Sequence, residues 1–128
     1  MREGSGVLTG VGVDLCAVSR MERALEKPGF ASRVFTEQER AYLDGKGLGR
    51  TQSAAAMFAA KEAVAKALGT GFRGFTTRDI SVEPDALGRP AVRLSGGALE
   101  RLHTLGAQSV MISITHTGGF AAAVAVIE

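Results

Sequence analysis

Ala54-Ala55-Ala56-Met57-Phe58-Ala59-Ala60-Lys61-Glu62-Ala63-Val64-Ala65-Lys66-Ala67-Leu68 is the stretch on which the reading of this chain turns. Alanine dominates it, Ser53 precedes it and Gly69 follows, so it predicts one long helix with a glycine stop. Its charges stand in an odd place. Phe58, Ala59, Ala65 and Lys66 lie three or four residues from Glu62, so the carboxylate projects from a surface of mostly small and apolar groups. A charge there is unfavourable unless a cation meets it. Taken alone, the helix also admits an ordinary explanation: Glu62 and Lys66 are spaced i,i+4 in the favoured order and can pair on a wet surface.

Upstream, Val7 to Leu15 alternates as a strand, with Thr9, Val11, Val13 and Leu15 on one face and Gly10, Gly12 and Asp14 on the other. The two glycines before Asp14 leave space for another backbone or a ligand to come close. They do not make a dinucleotide fingerprint, because the third glycine and the helix directly after it are missing. Ser19 predicts the cap of a helix from Arg20 to Lys27, ended by Pro28-Gly29, and Asp14 is equally readable as an ordinary acid ahead of that helix. Thr36 and Glu39 form a capping box for a second short helix. Gly45-Lys46-Gly47-Leu48-Gly49-Arg50 reads as a flexible basic loop without the Gly-Lys-Ser/Thr run of a P-loop.

Downstream the chain turns to strands. Asp79–Glu83 and Ala91–Leu94 flank a Pro84–Pro90 turn as a hairpin, Gly97–Thr104 predicts a helix, and Ser109–Thr115 alternates. Thr117-Gly118-Gly119 turns the chain into a last strand, Phe120–Ile127. His116 falls at the strand end before that turn, where a lone histidine is most simply structural or exposed, and His103 reads as solvated. Strands joined by hairpins, gathered late, with one long helix predict an α+β fold: a small antiparallel sheet packed against that helix.

With 128 residues, one domain over 1–128 is expected, too small to enclose a large cofactor, so a ligand of dinucleotide size would lie in a groove or between subunits. The net charge of +2 falls short of the basic blocks of a duplex binder and suits an anionic small molecule or an acidic partner; no nucleic acid is expected. Cys16 stands alone, which excludes a disulfide framework. Met1–Gly6 lacks the apolar stretch of a signal peptide, and Phe120–Ile127 is too short to span a bilayer, so a cytoplasmic protein without a membrane partner is expected.

Asp14, Glu62 and His116 come from different elements. If the helix packs on the sheet, the two carboxylates can converge on one hard cation such as Mg²⁺, which fills its shell with water and substrate phosphates. Lys61, Lys66, His116 and the arginines would then supply positive charge for a pyrophosphate.

Gly10-Val11-Gly12-Val13-Asp14-Leu15 with Arg20 after it, then Phe58-Ala59-Ala60-Lys61-Glu62-Ala63-Val64-Ala65-Lys66-Ala67-Leu68-Gly69-Thr70-Gly71, then Ser113-Ile114-Thr115-His116-Thr117, closely resemble the holo-[acyl-carrier-protein] synthase family. These are the short-chain 4′-phosphopantetheinyl transferases, and the likeness runs in order from about Leu8 to Ile127. The resemblance implies the 4′-phosphopantetheinyl transferase fold and an Mg²⁺-dependent enzyme of fatty acid biosynthesis, a branch of lipid metabolism. Its reaction would move the phosphopantetheine of coenzyme A to a serine of an acyl carrier protein and release 3′,5′-ADP. It implies Asp14 and Glu62 as metal ligands, Glu62 and Lys66 as catalytic residues, and coenzyme A contacts from Lys61, Lys66, Gly69, Thr70, Gly71 and His116. Lys46 and Arg50 are plausible contacts for the 3′-phosphate.

The general base is open between Glu62 and a water on the metal. Where many relatives carry Arg or Trp before the Phe-Ala-Ala-Lys-Glu run, this chain has Met57, so a phosphate contact made there in some members is absent. The acidic carrier would dock on Arg20, Arg23 and Lys27 around Met21, and the relatives' homotrimers, with the site between subunits, agree with the small domain. The competing reading is a non-catalytic trimeric module that binds coenzyme A or a nucleotide.

Overall fold

The computed structural model describes residues 7–128; the Met1–Gly6 segment read above for targeting lies outside the described residues. In chain order the elements are strand β1 (Gly10–Ala17), helices α1 (Val18–Leu25), α2 (Phe30–Val34), α3 (Glu37–Asp44) and α4 (Arg50–Ala67), strands β2 (Ile80–Pro84) and β3 (Pro90–Leu94), helix α5 (Gly96–Thr104), and strands β4 (Val110–Thr117) and β5 (Phe120–Ile127). The first and last strands pair: β5 lies between β1 and β4 in an antiparallel sheet, with Gly10 opposite Ile127 and Ala17 opposite Phe120. β2 and β3 form a separate hairpin. This is the expected α+β architecture, a small antiparallel sheet against one long helix.

α4 is alanine-rich because it is covered almost all round. Ala54, Ala55, Met57, Ala59, Ala60, Lys61, Ala63, Val64, Ala65 and Ala67 are all buried, so the helix carries no single apolar stripe. β1 and β5 pack closely on one side, and β2, α1 and α3 meet it elsewhere. The tightest approach is onto the glycines of β1. A Cβ on Gly12 would lie 2.0 Å from the Ala63 carbonyl oxygen, and one on Gly10 would lie 2.0 Å from that of Ala67. The helix rests on bare backbone, and the space beside Asp14 is filled by helix rather than held open for a ligand.

The consequence for the strand is that its glycine face is the covered one. Val11, Val13 and Leu15 point the other way and are each more than half exposed, as are Met111 of β4 and, at half, Phe120 of β5. The alternation is as read from the sequence, but the apolar side chains of β1 lie outside the core of a single chain.

Other boundaries differ locally. α1 begins at Val18 behind Ala17, with no side-chain cap, so Ser19 is inside the helix rather than ahead of it. α2, among Phe30–Val34, was not expected. The basic loop tightens into a 3₁₀ turn at Gly47–Gly49, and α4 starts at Arg50, earlier than Ser53 suggests. The capping box of α3 forms as read: Thr36 Oγ1 accepts from the Glu39 amide at 3.2 Å, and Glu39 Oε1 accepts from the Thr36 amide at 2.9 Å.

Candidate functional site

The last turns of α4 lie over β1, an edge strand of the sheet, which brings Glu62 within reach of the Asp14 charge. Lys66 does not pair with Glu62 along the helix. Its ammonium reaches across to β1, donating to Asp14 Oδ1 at 2.8 Å and to the Val13 carbonyl at 3.1 Å. The pair is open to water, with Lys66 about half exposed and Asp14 mostly covered. The hydrogen bond to Asp14, then its charge, raises the Lys66 pKa.

Glu62 lies close enough to Asp14 to feel its charge. Burial first, then Asp14, pushes the Glu62 pKa above the usual carboxylate range, while Lys66 and Arg20 pull it back. Cys16 lies in the same field: burial raises its thiol first, Arg20 opposes, and both acids add to the rise, so the thiol is no ready nucleophile. A half-covered carboxylate that feels a second negative charge, as Glu62 does from Asp14, is relieved by a cation. Among the described residues no group of three His, Cys, Asp or Glu side chains gathers. Two oxygen donors with the remaining shell left to water and phosphate match what a small hard divalent ion accepts. The donor set fits Mg²⁺.

Beside the acids runs a cleft lined by Cys16, Met21, Ala24, Phe30 and Phe58, with Arg20, Arg23 and Lys27 at its rim. All four docking residues expected from the sequence line it, Met21 as buried floor. Phe58 precedes Glu62 by one helical turn, so the two side chains are neighbours on the surface of α4. The floor residues Phe30, Phe58 and Cys16 were not singled out from the sequence; the i,i+4 relation of Phe58 to Glu62 was the available signal.

Lys61 overturns an expectation. It is fully buried and its ammonium is enclosed: Glu39 Oε1 lies at 2.8 Å, the Thr77 carbonyl accepts at 2.8 Å, and the Ile80 carbonyl accepts as well. Three donors meet three acceptors, which leaves none for a phosphate. Burial lowers its pKa, and Glu39 pulls it back up. The Glu39 carboxylate also takes the Val82 amide at 2.6 Å, so the pair ties α4, α3 and β2 together. Lys61 is a framework residue, not a coenzyme contact.

His116, Arg50 and Lys46 lie toward the other end of α4. Gln52 Nε2 lies 3.1 Å from His116 Nδ1, joining the first turn of α4 to the end of β4, and Arg50 opens the same helix. Lys46 stacks over the Tyr42 ring, 4.7 Å from its centre. From Gln52 to Glu62 the helix climbs about 15 Å at roughly 1.5 Å per residue. One chain therefore does not bring His116, Arg50 and Lys46 into contact with the acid pair. Gly69 and Gly71, both at positive φ, end α4 directly after Lys66, with their amides bonded to the Lys66 and Ala65 carbonyls at 3.0 and 3.2 Å. Thr70 turns its hydroxyl to the Gly71 carbonyl at 3.1 Å.

Residues 10–125 match the model of the 4′-phosphopantetheinyl transferase superfamily. The chain is 42% identical over 123 residues to the holo-[acyl-carrier-protein] synthase of Clostridium novyi, covering 95% of this chain and 88% of that one. It is 43% identical over 122 residues to the enzyme of that name from Treponema denticola, covering 95% and 99%. Among solved structures it is similar to the holo-[acyl-carrier-protein] synthase of Neisseria meningitidis, with a TM-score of 0.86, 32% identity and coverage of 95% and 99%. The Helicobacter pylori synthase in complex with coenzyme A superposes with a TM-score of 0.80 at 30% identity, covering 92% and 99%.

Proposed function

The chain belongs to the 4′-phosphopantetheinyl transferase superfamily, and from that footing we propose that it moves the phosphopantetheine arm of coenzyme A onto a serine hydroxyl of an apo-acyl carrier protein, with Mg²⁺, releasing 3′,5′-ADP. It would act as a single domain over residues 1–128, in the cytoplasm, supplying the carrier used in fatty acid biosynthesis. The observation that carries this reading is the Lys66–Asp14 contact at 2.8 Å, with Glu62 one turn before Lys66 on α4 and within reach of the Asp14 charge.

Asp14 and Glu62 would hold the ion, and Lys66 would turn from Asp14 to the diphosphate. Mg²⁺, when bound, neutralises charge on the phosphate oxygens, the main demand of phosphoryl transfer. The serine oxygen forms its bond to the β-phosphorus while the bond to the 3′,5′-ADP oxygen breaks. The hydroxyl proton leaves to Glu62 or to a water beside it. Arg20, Arg23 and Lys27 steer an acidic carrier helix, and Met21 and Phe58 receive its apolar side, so charge governs encounter more than final affinity.

A homotrimer with the site between subunits is supported by one face of the sheet. The outer face of the sheet, with Val11, Val13, Leu15 and Met111, is apolar and uncovered in one chain. Assembly across that face would also bring His116, Arg50 and Lys46 of one copy toward the acids of the next, for the nucleotide end and 3′-phosphate of coenzyme A. Mixing an inactive Glu62→Gln protein with an inactive His116→Ala protein then restores part of the activity, because some shared sites are intact.

The deciding test is to mix the protein with an apo-carrier protein, coenzyme A and Mg²⁺ and weigh the carrier. The expected gain is one phosphopantetheine per carrier. Coenzyme A bound without any gain would leave the non-catalytic binding module in its place.

A further inference from the structure

The charges around the acid pair balance before any ligand arrives. Asp14 and Glu62 bring two negative charges; Lys66, bonded to Asp14, and Arg20, whose field reaches Glu62, bring two positive ones. A divalent ion entering this seam meets a neutral cluster, not an anionic cup, and must displace an ammonium already seated on one of its two ligands. We infer that Lys66 holds the place of the cation, so that the ion and a diphosphate-bearing ligand enter together and each binds weakly alone.

The physical argument is one of exchange. With the ion in and Lys66 displaced, the cluster carries an excess of two positive charges, unfavourable in a partly covered site. A diphosphate restores neutrality and gives the freed ammonium a new partner. The geometry permits the swing without rebuilding the helix: Lys66 is half exposed, on the last turn of α4, on a flexible four-carbon stem. Lys61, enclosed on all sides, could not do this. The resulting coupling is reciprocal, so the ion tightens the diphosphate ligand by the factor by which that ligand tightens the ion.

This inference rests on the proposed ion site, and the experiment separates the two. Mn²⁺, whose free form is counted by its paramagnetic resonance signal, is titrated into the wild-type, Lys66→Met, Lys66→Gln and Asp14→Asn proteins, with and without coenzyme A and with no carrier protein present. Far-ultraviolet circular dichroism confirms each fold. In the wild type, Mn²⁺ binds weakly alone and markedly tighter with coenzyme A. Both Lys66 variants bind Mn²⁺ alone on the order of tenfold tighter, as expected from removing one positive charge a few ångströms from a divalent ion, and gain less from coenzyme A. If Asp14→Asn binds Mn²⁺ as the wild type does, the ion site itself falls. If Asp14→Asn loses the ion while the Lys66 variants bind it no tighter than wild type, the site stands and the place-holding role is wrong.

Discussion

Two lysines on one helix, Lys61 and Lys66, meet opposite fates. Lys61 is buried with every donor matched, between Glu39 and two carbonyls that belong to different elements. Lys66 is half in water, shares one carboxylate and one strand carbonyl, and can let go. The first arrangement has a high barrier to change and serves the frame; the second is shallow and leaves the ammonium able to take another partner. The lesson is that a cation in a signature stretch is assigned by its enclosure, not by its place in the stretch.

Removing each partner tests that division. Lys61→Met leaves the Glu39 carboxylate buried without its cation, and we expect about 4 kcal/mol lost from stability, read from the urea midpoint. A loss near zero would put Lys61 back among the candidates for ligand contact. Lys66→Met should behave in reverse: an unchanged urea midpoint, with carrier modification slowed on the order of 10²–10³-fold, the usual effect of losing one charge-stabilising donor. Loss of stability instead would make the two lysines alike.

Combining Lys61→Met with Glu39→Leu should recover roughly 1–2 kcal/mol of the loss, since an apolar pair in place of a buried ion pair is often tolerated. Recovery stays partial, because Glu39 also closes the α3 capping box and takes the Val82 amide. The smallest effect on stability concerns Glu62. Its pKa is raised on folding, so its folded-state penalty is absent below the unfolded value, about pH 4.3, and grows as pH rises through the folded one. Glu62→Gln should therefore melt slightly higher than wild type near neutral pH and match it in acid, in metal-free buffer, while abolishing transfer. A lower melting temperature at neutral pH would show that Glu62 stabilises the fold.

The sequence carried the long helix, its glycine stop, the capping box at Thr36, the hairpin and the final strand pair, because each is written in neighbouring residues. It also offered Asp14 and Glu62 as acids that converge if the helix packs on the sheet, and α4 does pack on β1. It did not reveal where Lys61 and Lys66 point, since their partners Glu39 and Asp14 lie far off in the chain and only packing brings them near. Nor could alternation say which face of β1 is covered. That was decided by the reach of α4: a helix seated on Gly10 and Gly12 comes closer than any side chain would allow, and Val11, Val13 and Leu15 are turned outward by default.

The pairing of Gly10 with Ile127 has a temporal side. β1 is the first of the described strands to be made, yet its neighbour in the sheet, β5, is the last of them. Until then Asp14 has a helix to lean on but no strand to fix its register. A chain cut short before Phe120 would keep Asp14, Glu62 and Lys66 and still lack β5, the strand whose pairing aligns β1.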